Sequence, residues 1–264
     1  MSPRAPMRRR ATRWFDSPTP RVIAHRGLAT DAPENTLLAF LSALNAGATH
    51  LETDVHGTRD GVAVISHDPD LARVGGSGTP IVALTSSEVR AIRLPSEQGV
   101  PTLVEALDAF PEAFFNIDIK AEEALVPTID AVRLLKATDR VLVTSFDDAR
   151  RKRAVEALPG VATSPSSVGV IKAALASRLP HGLLGFVQRA ALADVDALQV
   201  PERFRGVPIV TPALISAAHR NGVEVQVWTV NEPADMRRLL ALGVDGLITD
   251  RADLAVGIVS GGAH

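Results

Sequence analysis

The sequence predicts a single (β/α)₈ barrel. Three observations carry this: short β-rich runs alternate with helical stretches, the 264-residue length is close to the about 250 typical of such barrels, and ionisable residues collect where the apolar runs end. Such a barrel presents the C-terminal ends of its strands at one mouth, so those residues would meet there.

The first stretch holds Arg4, Arg8, Arg9, Arg10 and Arg13 with no acid before Asp16. No apolar segment of the length a secretory signal needs follows it, so the expectation is a short disordered basic tail over residues 1–20 and a cytoplasmic protein. The single folded domain is expected over 21–264. Strands are expected at Val22–Ala24, His50–Val55, Val62–Ser66, Phe114–Ile119, Val141–Ser145, Val161–Thr163, Ala197–Val200, Glu224–Val230 and Gly246–Thr249. That is one more than a barrel of about eight strands uses, which leaves one to be a hairpin partner or an extension; Val62–Ser66 follows the turn-like Arg59-Asp60-Gly61.

Helix starts show in their caps. Thr85 with Glu88 and Thr102 with Glu105 have the capping-box spacing, which also accounts for Glu105 without a ligand role. Thr36 caps a helix beginning at Leu37, and Asn231 is expected to open a helix over Ala234–Ala241 that Gly243 closes. The stretch from Pro69 to Val100 is too long for a loop between a strand and its helix, and it is expected to be a small insertion beside the mouth. Its Gly75-Gly76-Ser77-Gly78 lacks the Gly-Lys-Ser/Thr ending of a phosphate loop and is assigned to turn chemistry.

Composition excludes several classes. Cysteine is absent, which rules out disulfides, thiolate nucleophiles and zinc–thiolate sites. Without the five N-terminal arginines, 23 basic residues face 30 acidic ones, so the folded body lacks the basic stripe of a nucleic-acid surface. Charges, Pro or Gly break every apolar run before it could span a membrane. The sequence sets no oligomeric state.

The chemistry is carried by an ordered set. Glu52 and Asp54 alternate on one strand and present two carboxylates on one face, a like-charge pair that suits a hard cation such as Mg2+ or Ca2+. His25 and His67 each end an apolar run, and two imidazoles can serve one phosphodiester as base and acid near neutrality. Arg26 offers a planar fork and Lys120 a compact charge for phosphate oxygens. Asp118 shares the face of Lys120 and is a third candidate metal ligand. Glu34 and Asn35 are candidate substrate-binding residues, and Trp228, on the face of Gln226, is a candidate wall for a small polyol.

These residues resemble the glycerophosphodiester phosphodiesterase family. The match runs from His25-Arg26-Gly27 through Glu34-Asn35-Thr36, Glu52-x-Asp54, His67-Asp68, Asp118-x-Lys120 and Trp228-Thr229-Val230-Asn231 to Ile248-Thr249-Asp250. The resemblance implies a TIM barrel with a small insertion after the second histidine, about 69–100. It implies an acid–base pair in His25 and His67, one divalent cation on Glu52, Asp54 and Asp118, and phosphate contacts from Arg26 and Lys120. Many members carry Glu where this chain has Asp118, a shorter arm that bears on cation preference. The implied reaction hydrolyses a small-molecule glycerophosphodiester to glycerol 3-phosphate and an alcohol. Direct attack by water and prior attack by the glycerol 2-hydroxyl through a cyclic phosphate both stay open. Because the identified groups act on the half shared by all such substrates, broad headgroup tolerance and weak activity on lysolipids are expected. Two alternatives are a lysophospholipase D, which would need an apolar ridge at the mouth for which Val168–Leu184 is a candidate, and a catalytically silent binding barrel.

Overall fold

The computed structural model describes residues 12–165, 192 and 194–261. Eight strands run parallel: β1 (Arg21–His25), β2 (His50–Gly57), β4 (Phe114–Ile119), β5 (Val141–Thr144), β6 (Ala162–Thr163), β7 (Ala197–Pro201), β10 (Glu224–Trp228) and β11 (Gly246–Thr249), in spatial order β6-β5-β4-β2-β1-β11-β10-β7. The two ends of this order approach each other: the Asp196 N–H donates to the Thr163 carbonyl at 2.9 Å and the Thr163 N–H to Asp196 Oδ2 at 3.0 Å. Helices that follow strands on the outer face include α1 (Leu37–Asn45), α4 (Leu125–Leu134), α5 (Asp148–Ala157), α7 (Pro233–Leu242) and α8 (Ala252–Gly261). Between them lies the main apolar core, in which Phe40, Leu51, Phe115, Val143, Val225 and Leu247 are fully buried.

All nine expected strands form, several one or two residues shorter. The run at Val62–Ser66 becomes β3 (Ala63–Ile65), antiparallel to β2 and outside the ring, so of the two roles left open for the extra strand it takes that of hairpin partner. A two-stranded ribbon, β8 (Arg203–Phe204) with β9 (Val207–Pro208), was not foreseen, because two-residue strands leave no periodicity to read. Both capping boxes are present, Thr85 with Glu88 opening α2 (Ser86–Ala91) and Thr102 with Glu105 opening α3 (Leu103–Ala109). Thr36 caps α1 through the Ala39 N–H, and Thr211 caps α6 (Pro212–Arg220).

Two expectations are corrected. Glu232, not Asn231, precedes α7 as its cap, since the Asn231 side chain is committed to Thr249 and Asp250. The order also begins before residue 20. Thr12 caps a short 3₁₀ turn over Arg13–Phe15, and Trp14 is fully buried with Ile23, Leu142, Ala162, Ala197 and Ile248 inside the strand ring. Arg21 fixes this floor by donating to the Phe15 carbonyl at 2.6 Å and to both oxygens of Glu224 at 2.8 and 2.9 Å. An aromatic side chain plugging the N-terminal end of a barrel outweighs the polarity of the arginines around it.

The Pro69–Val100 insertion has a core of its own, in which Leu71, Ile81, Val89, Leu94 and Val100 pack on Val64 of β3. It lies next to the mouth because β3 leads directly into it.

Candidate active site

Register brings the ionisable residues together. Parallel pairing sets His25 beside Glu52, Glu52 beside Asn116, and Asp54 beside Asp118, so β1, β2 and β4 deliver five polar side chains at neighbouring levels. These line a cavity of about 340 Å³ together with Arg26, His67, Lys120, Gln199 and Trp228. The mouth of a parallel barrel is where such side chains escape the packed interior.

The turn after β1 places Arg26. Gly27 has φ 85°, and a Cβ there would lie 2.6 Å from the Ala39 carbonyl carbon, so only glycine lets the turn approach α1 this closely. Arg26 itself is left-handed at φ 58°, an uncommon conformation for a residue with a side chain. Its backbone N–H meets the Glu52 carbonyl at 3.0 Å, its Nη1 donates to Glu34 Oε1 at 2.9 Å, and its Nε lies 3.1 Å from Asp54 Oδ2.

Three buried carboxylates face two cations. Lys120 Nζ lies 2.7 Å from Asp54 Oδ1 and 2.8 Å from Asp118 Oδ2, and although burial disfavours its charge, these two acids more than compensate and raise its pKa. Glu52 has no lysine or guanidinium this close; its Oε2 accepts the Arg26 backbone N–H at 3.2 Å and lies 3.9 Å from His25 Nε2. Burial, then the charge of Asp54, push its pKa up to about 8. Burial likewise raises Asp118, against the pull of Lys120, and its Oδ1 has no hydrogen-bond partner among the described residues. Among the described residues no three His, Asp or Glu side chains converge as a finished ligand cage, because the Lys120 ammonium stands between Asp54 and Asp118. The donor chemistry still fits a hard divalent cation: three carboxylates, an excess of negative charge and one unused carboxylate oxygen.

Each histidine is held by its own carboxylate. His25 Nδ1 lies 2.6 Å from Asp250 Oδ1 at the end of β11, and its Nε2 is 3.9 Å from Glu52 Oε2. Burial lowers the His25 pKa, but Glu52 and the bond to Asp250 outweigh it and the net shift is upward. His67 Nδ1 lies 2.8 Å from Asp68 Oδ1. With Nδ1–H donated to a carboxylate, Nε2 of each ring is left for a reacting group.

Of the sequence-assigned residues, His25, Arg26, Glu52, Asp54, His67, Asp118, Lys120 and Trp228 share this cavity. Glu34 and Asn35 do not line it. Glu34 is held by Arg26 and Arg73, while buried Asn35 donates to Asp54 Oδ2 at 3.3 Å and accepts from Thr53 Oγ1 at 2.8 Å, so both support residues of the site instead of reaching a substrate. Gln226, on the face of Trp228, is fully buried against Gln199 and Glu224 and does not line the cavity, whereas Gln199 does. Sequence reasoning assigned no role to Asp250, Asn116, Arg73, Phe146 or Phe204. Asp250 carried a readable signal, an acid following an apolar strand as His25 does. Val168–Leu184 lies outside the described residues.

The sequence profile of the glycerophosphoryl diester phosphodiesterase family matches residues 25–254, a span holding every cavity residue named above. The chain belongs to this family. It is 42% identical over 234 residues to a probable glycerophosphodiester phosphodiesterase 2 of Mycobacterium tuberculosis, covering 88% of each chain. It is also 27% identical over 273 residues to a lysophospholipase D of Rattus norvegicus, covering 87% of this chain and 83% of the relative. Among solved structures, a glycerophosphodiester phosphodiesterase from Thermotoga maritima superposes with a TM-score of 0.69 at 26% identity, over 90% of this chain and 97% of that one. The TIM barrel is therefore common to the family and to this chain.

Proposed function

We propose that this phosphodiesterase hydrolyses glycerophosphodiesters to glycerol 3-phosphate and a free alcohol. His25 and His67 move the protons, Arg26 and Lys120 hold the phosphate, and Glu52, Asp54 and Asp118 hold one divalent cation, Ca2+ or Mg2+. The observation that carries this reading is a pair of histidines, each fixed at Nδ1 by a carboxylate, lining one cavity with three buried acids and two phosphate-competent cations.

Hydrolysis forms one P–O bond and breaks another, so a proton leaves the attacking oxygen and another reaches the departing alcohol. A neutral imidazole bound to a carboxylate through Nδ1–H accepts at Nε2, and its protonated form donates from the same atom. Asp250 and Asp68 fix which nitrogen does so and stabilise the imidazolium. Arg26 and Lys120 supply positive charge where the equatorial phosphoryl oxygens gain negative charge. A bound divalent cation supplies Lewis-acid polarisation of the phosphoryl group and offsets the charge of the three acids. Paired histidines and intact carboxylates disfavour the silent binding barrel. A cytoplasmic location is part of the proposal; among the described residues no helix is long and apolar enough to cross a membrane.

A second reading has one observation in its favour. Phe146 and Phe204 line the cavity at 60% and 46% exposure beside Trp228, an apolar wall that suits the acyl chain of a lysolipid. The deciding experiment compares kcat/KM for glycerophosphocholine and lysophosphatidylcholine with Ca2+ or Mg2+ present. Faster cleavage of the free diester is expected, and faster cleavage of the lysolipid would replace this reading with lysophospholipase D.

A further inference from the structure

The insertion after His67 reaches back into the site through one side chain. Arg73 lies just beyond Leu71, which is part of the insertion core. Its Nε bonds Asp68 Oδ2, while its Nη2 donates to Glu34 Oε1 at 2.6 Å. Both acceptors are already engaged with cavity residues. Asp68 holds His67 Nδ1 through its other oxygen at 2.8 Å, and the same Glu34 oxygen receives Arg26 Nη1 at 2.9 Å. The result is a continuous chain from His67 through Asp68, Arg73 and Glu34 to Arg26, whose Nε lies 3.1 Å from Asp54.

We propose that Arg73 is a positioning residue of the phosphodiesterase reaction, fixing His67 relative to Arg26 by bridging Asp68 and Glu34. It touches no reacting atom. Two features separate this from an ion pair that merely docks the insertion. First, one planar fork serves two acceptors at once, which fixes their relative position as a point charge would not. Second, the insertion has separate docking contacts that reach no cavity residue: Arg59 donates to the Ala83 carbonyl at 3.1 Å and to Glu88 at 3.3 Å, and Arg90 pairs with Glu105. Glu34 shows the electrostatic side of the bridge. Its partial burial opposes ionisation, yet Arg73 and Arg26 together hold its pKa below the ordinary value.

The inference rests on the phosphodiesterase reading, and the wild-type rate on glycerophosphocholine tests that reading separately. In full-length protein, Arg73→Met and Arg73→Lys are each expected to lose about ten- to a hundredfold in kcat, because a displaced acid–base group costs rate even when all groups remain present. Lysine is expected to be no better than methionine, since one ammonium does not span both acceptors. Added guanidinium at non-denaturing concentration should restore part of the Arg73→Met rate, because the side chain is half-exposed and its place open to solvent. Losses for Arg73→Met paired with Asp68→Asn, and with Glu34→Gln, should be far from additive. Arg59→Met is the docking control, expected to lower the melting temperature and leave kcat unchanged. With an active wild type, the proposal is overturned if Arg73→Lys keeps near-native kcat, if both double mutants are additive, or if Arg59→Met loses as much rate as Arg73→Met. Should Arg73→Met fail to fold, Arg73→Lys and the Glu34→Gln cycle built on it decide the matter.

Discussion

Replacing His50 by glutamine should flatten the acid side of the stability profile. His50 lies fully buried in the barrel floor, stacked on Phe114 at 4.7 Å between ring centroids and edge-on to Trp14 at 4.6 Å. Its Nε2 is 3.0 Å from the Trp14 carbonyl and its Nδ1 2.9 Å from Thr49 Oγ1, an arrangement satisfied by the neutral ring. Burial, with a smaller contribution from Arg21, pushes its pKa down from 6.5 to about 3. The sign follows from which state binds the proton first. Below the unfolded value of 6.5 the unfolded chain takes up a proton that the native protein refuses, so stability is full above that value and falls as pH drops toward 3. The slope approaches about 1.4 kcal/mol per pH unit, and the loss reaches about 2 kcal/mol near pH 5, a large share of the roughly 5–15 kcal/mol that holds a domain together. Urea denaturation at several pH values, with chelator present throughout, measures it. The His50→Gln profile should be flatter by about one proton's worth of slope below pH 6.5. Parallel profiles for the two proteins would refute the reasoning.

Chelation should abolish turnover and either Ca2+ or Mg2+ should restore it, with Glu52→Ala and Asp54→Ala nearly inactive; full activity in excess EDTA, with no metal in the protein, would remove the cation from the account. His25→Ala and His67→Ala should each fall by about 10²–10⁴ in kcat while circular dichroism is unchanged, and near-native turnover by either would strip that histidine of its role. A substrate with a strongly acidic leaving group should partly rescue the variant lacking the general acid, thereby assigning acid and base.

The barrel was legible because alternation of apolar runs with capped helices is a local pattern, and parity alone put Glu52 with Asp54 and Asp118 with Lys120. Strand-end position likewise singled out both histidines. What stayed hidden depends on contacts between residues distant in sequence. Asp250 is 225 residues from the His25 it holds, and Arg73 is 39 from Glu34. Glu34 and Asn35 are polar and close to the site in sequence, but the left-handed backbone at Arg26 and Asn35 folds them behind the cavity. Trp14 was masked by the arginines before it, since composition averages over the one side chain that fills the floor. Asn231 had the residue type of a cap, yet the acceptor its side chain could offer a helix N–H was already taken by Asp250 and Thr249.

The most direct test of the central claim is product identity, followed by phosphorus NMR of glycerophosphocholine incubated with the protein and a divalent cation. The account predicts that the diester signal gives way to glycerol 3-phosphate with release of choline, and that His25→Ala slows this conversion without changing the product. Accumulation of phosphocholine, or an unaltered diester with a folded, metal-supplied protein, would contradict it.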